Sequence, residues 1–210
     1  MRSVTLFAAF FLAAAAPHVL PQNSAGSKPP TVAEAQAFLD RANADLLELY
    51  TDASRAEWLA EIDINEDTEA TTALLNKQAT AHALELTEES HRFDHVELPA
   101  DLRRQIMLMQ VNAPAAPKDP KLLAEQTLLA AQLTGMYGKG KYCPDAPEGS
   151  AAATGAKCLG IDAISDKMAK SHDPEELTKL WVGWHAIGAP MREKYARFIE
   201  LQNIGARELG

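Results

Sequence analysis

The chain has 210 residues, 47% of them hydrophobic and 23% charged, which supplies a core and excludes disorder over most of the length. Its formal net charge is −9, and no run of Lys and Arg offers the basic face that a nucleic-acid binder needs. Two cysteines are too few for a disulfide-rich scaffold and do not stand in the spacing of a Cys₄ or Cys₂His₂ zinc module.

The first element in the chain is a targeting segment. Arg2 supplies a short positive region, and Val4 to Ala16 form an apolar stretch that ends in four alanines. At about 1.5 Å per residue this stretch is too short for a hydrocarbon core of about 30 Å, so it reads as a secretory signal peptide with a small-residue cleavage region. The alternative is an N-terminal anchor that stays in place. Residues 1–25 are expected to be the signal peptide and cleavage region, and 26–30 a linker. The Pro, Ser, Gly and Gln composition of that linker reaches back to Pro17. The folded domain is expected to span 31–210. No second apolar span follows, so the mature chain is expected to lack a membrane span and to be exported, to a periplasm or outside the cell. In such an oxidising compartment Cys143 and Cys158 are expected to pair.

Helical signals begin at Thr31. Thr31-Val32-Ala33-Glu34 has the form of a capping box. Phe38, Leu39, Ala42, Leu46, Leu49 and Tyr50 follow at spacings of three and four, one apolar stripe of a helix. A second, short helix is expected to carry Trp58 and Ile62. Asp67 or Thr68 can cap a third, long helix through Leu74, Leu75, Ala81 and Leu84. A fourth opens at Pro99-Ala100, carries Leu102, Ile106, Met107 and Met109, and stops before Pro114. Asp119-Pro120 is an N-cap followed by proline at the first helical position, where the missing N–H costs nothing; Leu122, Leu123, Leu128, Leu129 and Leu133 populate that helix. Gly138 to Gly160 reads as a loop holding both cysteines. Asp173-Pro174 repeats the cap logic for a helix with Leu177, Leu180, Trp181 and Trp184, which Gly188-Ala189-Pro190 breaks. A last helix carries Tyr195, Phe198, Ile199 and Leu201. No alternating strand and no repeat of fixed period occurs, so the fold class is all-α.

His91-Arg92-Phe93-Asp94-His95 is the string that most invites a metal. Residues four apart share a helix face, so both histidines would reach one zinc. Zincins place Glu after the first His as general base. Here Arg92 stands there, and a guanidinium accepts no proton. As an inverted H-x-x-E-H site the string has the shorter Asp94, with no evident third ligand. The competing reading is a solvated helix end. Cys143 and Cys158 bracket a loop rich in Ala, Gly and Pro, and a disulfide there contributes roughly 3 kcal/mol in the chain-entropy model; a nucleophilic cysteine would need a base and an electropositive setting. Trp181, Trp184 and His185 share one side of a helix, as core packing or as a site wall. Gly138-Lys139-Gly140-Lys141 lacks the Ser/Thr and the preceding strand of a phosphate-binding loop.

The C-terminal third carries a family resemblance. Leu180-Trp181-Val182-Gly183-Trp184-His185-Ala186-Ile187-Gly188-Ala189-Pro190, then Tyr195, Phe198, Leu201 and Asn203, resembles the A-W-E-G-W…G-x-P…Y…F…L-x-N segment of the M2 peptidases, the angiotensin-converting-enzyme-like zinc peptidyl-dipeptidases. Arg92-Phe93-Asp94 is similar to the K/R-F-D step of that family, and Asp101 to Ile106 to its L-R-R-I-I helix. Tyr137 to Cys143 with Cys158-Leu159 is similar to its disulfide loop. The resemblance covers roughly residues 31–210.

That resemblance implies an almost wholly helical fold with a deep channel under N-terminal lid helices. It also implies zinc, chloride sensitivity, peptide substrates and release of dipeptides from peptide C-termini. The chain ends before the family's H-E-x-x-H helix, its downstream Glu ligand and its Tyr and His donors. No catalytic residue and no metal ligand is therefore expected within it, and neither zinc nor chloride is expected to bind it alone. It is expected to be the lid and part of one channel wall, with a missing C-terminal half as possible partner. Asp162 falls where the family has an acidic residue lining a primed-side subsite, which implies preference for a basic substrate side chain; the competing reading is a carboxylate at a helix start. His185 stands where some members carry a chloride-binding Arg; others have His there and lack that site. Leu180, Trp181, Trp184 and Phe198 are expected to be left exposed. The competing functions are a non-catalytic helical binding or assembly module derived from that fold, and a small metalloprotein using His91 and His95.

Overall fold

Helix α1 runs without a break from Val32 to Ile62, in a computed structural model that describes residues 29–144 and 157–210. The signal peptide and most of the linker lie outside the described residues. The capping box forms as expected: Thr31 Oγ1 accepts from the Glu34 N–H, and Glu34 accepts from the Thr31 N–H at 2.7 Å. The expected separate helix at Trp58 does not exist. No Gly or Pro lies between Tyr50 and Ile62, so nothing interrupts the hydrogen-bond ladder, and Trp58 rides the same helix 64% exposed.

Asp63 to Asn65 turn the chain into α2, Glu66–Ser90. The cap is Asn65, not Asp67 or Thr68: its side chain accepts from the N–H groups of both those residues at 3.0 Å. Pairs Arg41–Glu89, Asp45–His82 and Glu57–Asn76 fix the two helices as antiparallel neighbours. A 3₁₀ turn, His91–Phe93, leads to α3, Ala100–Val111. The Arg103 guanidinium donates to the carbonyls of Phe93 and Val96 and pins that connection. These elements enclose the largest core: Ala35, Phe38, Leu39, Ala42, Leu86, Phe93, Leu102 and Ile106. The rings of Phe38 and Phe93 meet at 5.4 Å, and Arg92 covers the Phe93 ring at 4.5 Å, a cation–π contact.

Helix α4, Pro120–Gly138, starts at the expected Asp119 cap and packs against α2. Tyr142 then exchanges two backbone hydrogen bonds with Leu159, an isolated antiparallel bridge, beside the Cys143–Cys158 disulfide. Helix α5, Ile161–Lys170, starts at Gly160 without a side-chain cap. Helix α6, Pro174–His185, starts at Asp173 as expected. The expected break at Gly188-Ala189-Pro190 is a 3₁₀ turn, Ala186–Met191, before α7, Arg192–Glu208. Helix α7 runs antiparallel to α4 through Arg197–Glu125 and Lys194–Gln132, and Glu208 accepts from the Lys118 N–H. Among the described residues the fold is seven α-helices with no strand, the expected all-α class. No described helix is long and apolar enough to cross a membrane.

The expected exposed set needs correction. Leu180 and Trp184 are buried with Ile164 in a small core of their own, because α5 and the bridged residues Tyr142 and Leu159 pack over them. Phe198 is half-buried. Only Trp181 is open to solvent, at 57%.

Candidate substrate groove

Two antiparallel contacts, α1 on α2 and α2 on α4, leave a groove of about 600 Å³ where the C-terminal end of α1 diverges from α4. Its floor comes from α2 and α4. Thr72, Asn76 and Thr80 recur every four residues along α2, so one helix face presents all three. From α4 come Gln126, Thr127, Thr134 and Tyr137; Glu57 and Glu61 of α1 form one wall, and Phe198 of α7 stands at the other side. The spacing of four along α2 is the signal of this shared face in the sequence.

Several of these side chains are fixed by local chemistry. Asn76 Nδ2 donates to Glu57 Oε1 at 2.8 Å. Gln126 Nε2 donates to the Ala115 carbonyl at 3.1 Å, which leaves Oε1 without a partner, and Thr72 Oγ1 has none either. Buried polar atoms left unpaired cost about 1–3 kcal/mol each, so the floor of the groove is polar at some expense to stability. Glu69 lies beside them with its side chain only 12% exposed, and Lys139 Nζ donates to its Oε1 at 2.6 Å. Helix α4 approaches so closely here that a Cβ on Gly135 would sit 2.1 Å from Glu69 Oε1. A side chain at that position would push the carboxylate out of its place.

The residues singled out in the sequence sit elsewhere. Asp162 is an exposed carboxylate in the first turn of α5 and is not among the groove's lining. Cys143 and Cys158 are joined, as expected. His185 stacks on Trp181 at 4.1 Å, and its Nδ1–H donates to the Trp181 carbonyl at 2.7 Å. Gly183, in the middle of that tryptophan motif, admits the Tyr142 ring: a Cβ there would fall 2.2 Å from it.

The His91–His95 string does not fit a zinc ion. It forms a 3₁₀ turn and not the α-helix that would align the two rings. His91 Nδ1 faces Asp94 Oδ2 at 2.9 Å, and Gln110 Nε2 donates to Asp94 Oδ1 at 2.9 Å and to Ser90 Oγ at 3.1 Å. The bond from Gln110, then that from His91, holds the Asp94 carboxyl below the usual carboxylate range. The cluster ties α3 to the end of α2. Among the described residues no three His, Cys, Asp or Glu side chains converge to hold a metal, so no catalytic step through a metal is derived from them.

Comparison with known proteins assigns the family. The family model for angiotensin-converting enzyme, peptidase M2, matches residues 29–210. The chain belongs to the peptidase M2 family. An angiotensin-converting enzyme of the leech Theromyzon tessulatum is 40% identical over 82 residues, covering 37% of this chain and 12% of that protein. The rat enzyme, from Rattus norvegicus, is 26% identical over 202 residues, covering 93% of this chain and 15% of its own length. The M2 chain described here thus spans a small fraction of the curated relatives it matches. Its disulfide is consistent with an extracellular M2 peptidase, and no H-E-x-x-H occurs in its 210 residues.

Proposed function

We propose that these residues form the lid and part of the channel wall of an exported M2-type peptidyl-dipeptidase, whose zinc-binding and catalytic residues lie outside this chain. The observation that carries the reading is the groove: residues 29–210 match a peptidase family, and they enclose a cleft in which hydrogen-bonding side chains of α1, α2 and α4 are set among apolar ones. An extended peptide offers one donor and one acceptor per residue, the complement of such a surface. In the complete enzyme zinc would polarise the scissile carbonyl and acidify the attacking water. The role of this chain is to position the peptide and exclude solvent. Within the same reading, residues 1–25 direct export, and Asp162 favours a basic substrate side chain.

A second reading, a non-catalytic assembly module, is favoured by the outer face of α1, where Leu47, Tyr50, Trp58 and Leu59 are exposed. Exposed apolar patches of this kind mark interfaces. One experiment separates the two. The chain, with zinc and chloride present, is assayed for dipeptide release from a blocked tripeptide, alone and with a separately produced catalytic half of an M2 enzyme. The expected result is no release alone and chelator-sensitive release from the mixture. Release by the chain alone would overturn the assignment of catalysis elsewhere, and an inactive but stably associated mixture would favour the assembly module.

A further inference from the structure

We propose that the groove between α1, α2 and α4 selects a basic peptide side chain, holding its ammonium or guanidinium against Glu61 and Glu69. The inference rests on the peptide-groove reading above and adds a charge preference at a place distinct from Asp162.

The lining supplies three carboxylates, Glu57, Glu61 and Glu69, and no Lys, Arg or His among the described residues that form it. Asn76 occupies one oxygen of Glu57 by donation and leaves its charge in place. Glu69 is the most enclosed of the three, so its field is the least screened by water. Its Oε1 already takes an ammonium, that of Lys139 at 2.6 Å. Lys139 itself is exposed and stands outside the lining. One cation against three carboxylates leaves the groove acidic.

The floor carries the second, independent observation. Thr72 and Gln126 are each more than nine-tenths buried and line the same groove, and each has an oxygen with no partner. Gln126 Oε1 can only accept; a threonine hydroxyl can do either. The three carboxylates can only accept as well, so the matching ligand is rich in N–H. Lys and Arg meet that need at the end of an apolar stem, and Ile64, Ala130 and Phe198 supply apolar surface for the stem. A glutamate side chain would bring a fourth carboxylate to the site.

The test uses the full chain and three blocked pentapeptides that differ only at the central residue: lysine, norleucine or glutamate. Isothermal titration at low ionic strength should show the lysine peptide binding at least about tenfold more tightly than norleucine, with glutamate weakest, a preference that falls as salt rises. Glu69→Gln should erase most of the lysine preference, read as the ratio of lysine to norleucine affinity. Lys139→Met should strengthen lysine binding, since it removes the internal competitor; this outward-facing change serves as the second variant should Glu69→Gln not fold. Equal binding of lysine and norleucine would overturn the charge preference alone. No binding of any of the three peptides would overturn the peptide-groove reading with it.

Discussion

The α1–α3 end of the molecule and the α5–α6 end solve the same problem by different means. The first uses two long helices and a clasp of aromatic rings, Phe38 on Phe93, surrounded by six further buried apolar residues. The second has helices of 10 and 12 residues and a core of three, Ile164, Leu180 and Trp184. Helices that short are marginal in water. There the backbone bridge of Tyr142 with Leu159 and the Cys143–Cys158 bond do what extra apolar area does at the other end. Burial holds one region and covalent closure the other.

The largest effect should come from the buried clasp. Phe93→Ala is expected to cost about 3–5 kcal/mol, read as a lower urea midpoint. Replacing both cysteines by serine should cost roughly 3 kcal/mol. In hydrogen exchange that loss should speed α5 and α6 and leave α1–α3 protected; equal acceleration at both ends would break the contrast. Gly183→Ala pushes a methyl group into the Tyr142 ring and should cost about 1–3 kcal/mol, again confined to the α5–α6 end.

The smallest effect is electrostatic. Asp94 has a depressed folded-state pKa because Gln110 and His91 hydrogen-bond its ionised form. Its contribution is therefore fully present above the ordinary carboxylate range, about pH 4, and is lost as pH falls through the lower folded value. Wild type and Asp94→Asn should differ in urea midpoint near neutrality and converge in acid. A constant difference across that range would assign the effect to packing instead.

What was legible in the sequence follows the range of the chemistry involved. Thr31, Asp119 and Asp173 were readable as caps because a cap is made with the next three residues. The disulfide was readable from compartment and family likeness. Where several candidates competed, sequence alone misplaced the boundary: Asn65 caps α2 because its extended backbone brings its side chain to two N–H groups at once. Helix α5 enters the sequence reading only as a helix start at Asp162, which the structure bears out; its extent is hard to read because Gly160 provides no side-chain cap. Leu180 and Trp184 are buried, not exposed, because Ile164 of α5 packs on them, a contact that neither helix reveals alone. The groove was invisible for a deeper reason. Thr72, Asn76 and Thr80 are ordinary solvent-face residues until α4 is laid alongside, and only then does Gly135 reveal the depth at which Glu69 is set.

The order of the helices bears on how the chain is made. Every residue of the largest core, from Ala35 to Ile106, is contributed before α4 begins. A protein emerging N-terminus first folds what it has already released, so the α1–α2 hairpin and its aromatic clasp can close while the cysteines are still unmade. Both cysteines are released after that hairpin, with Cys158 just ahead of α5. The disulfide thus stands, in order of synthesis, between the hairpin that folds on its own contacts and the helices α5 to α7 that follow it.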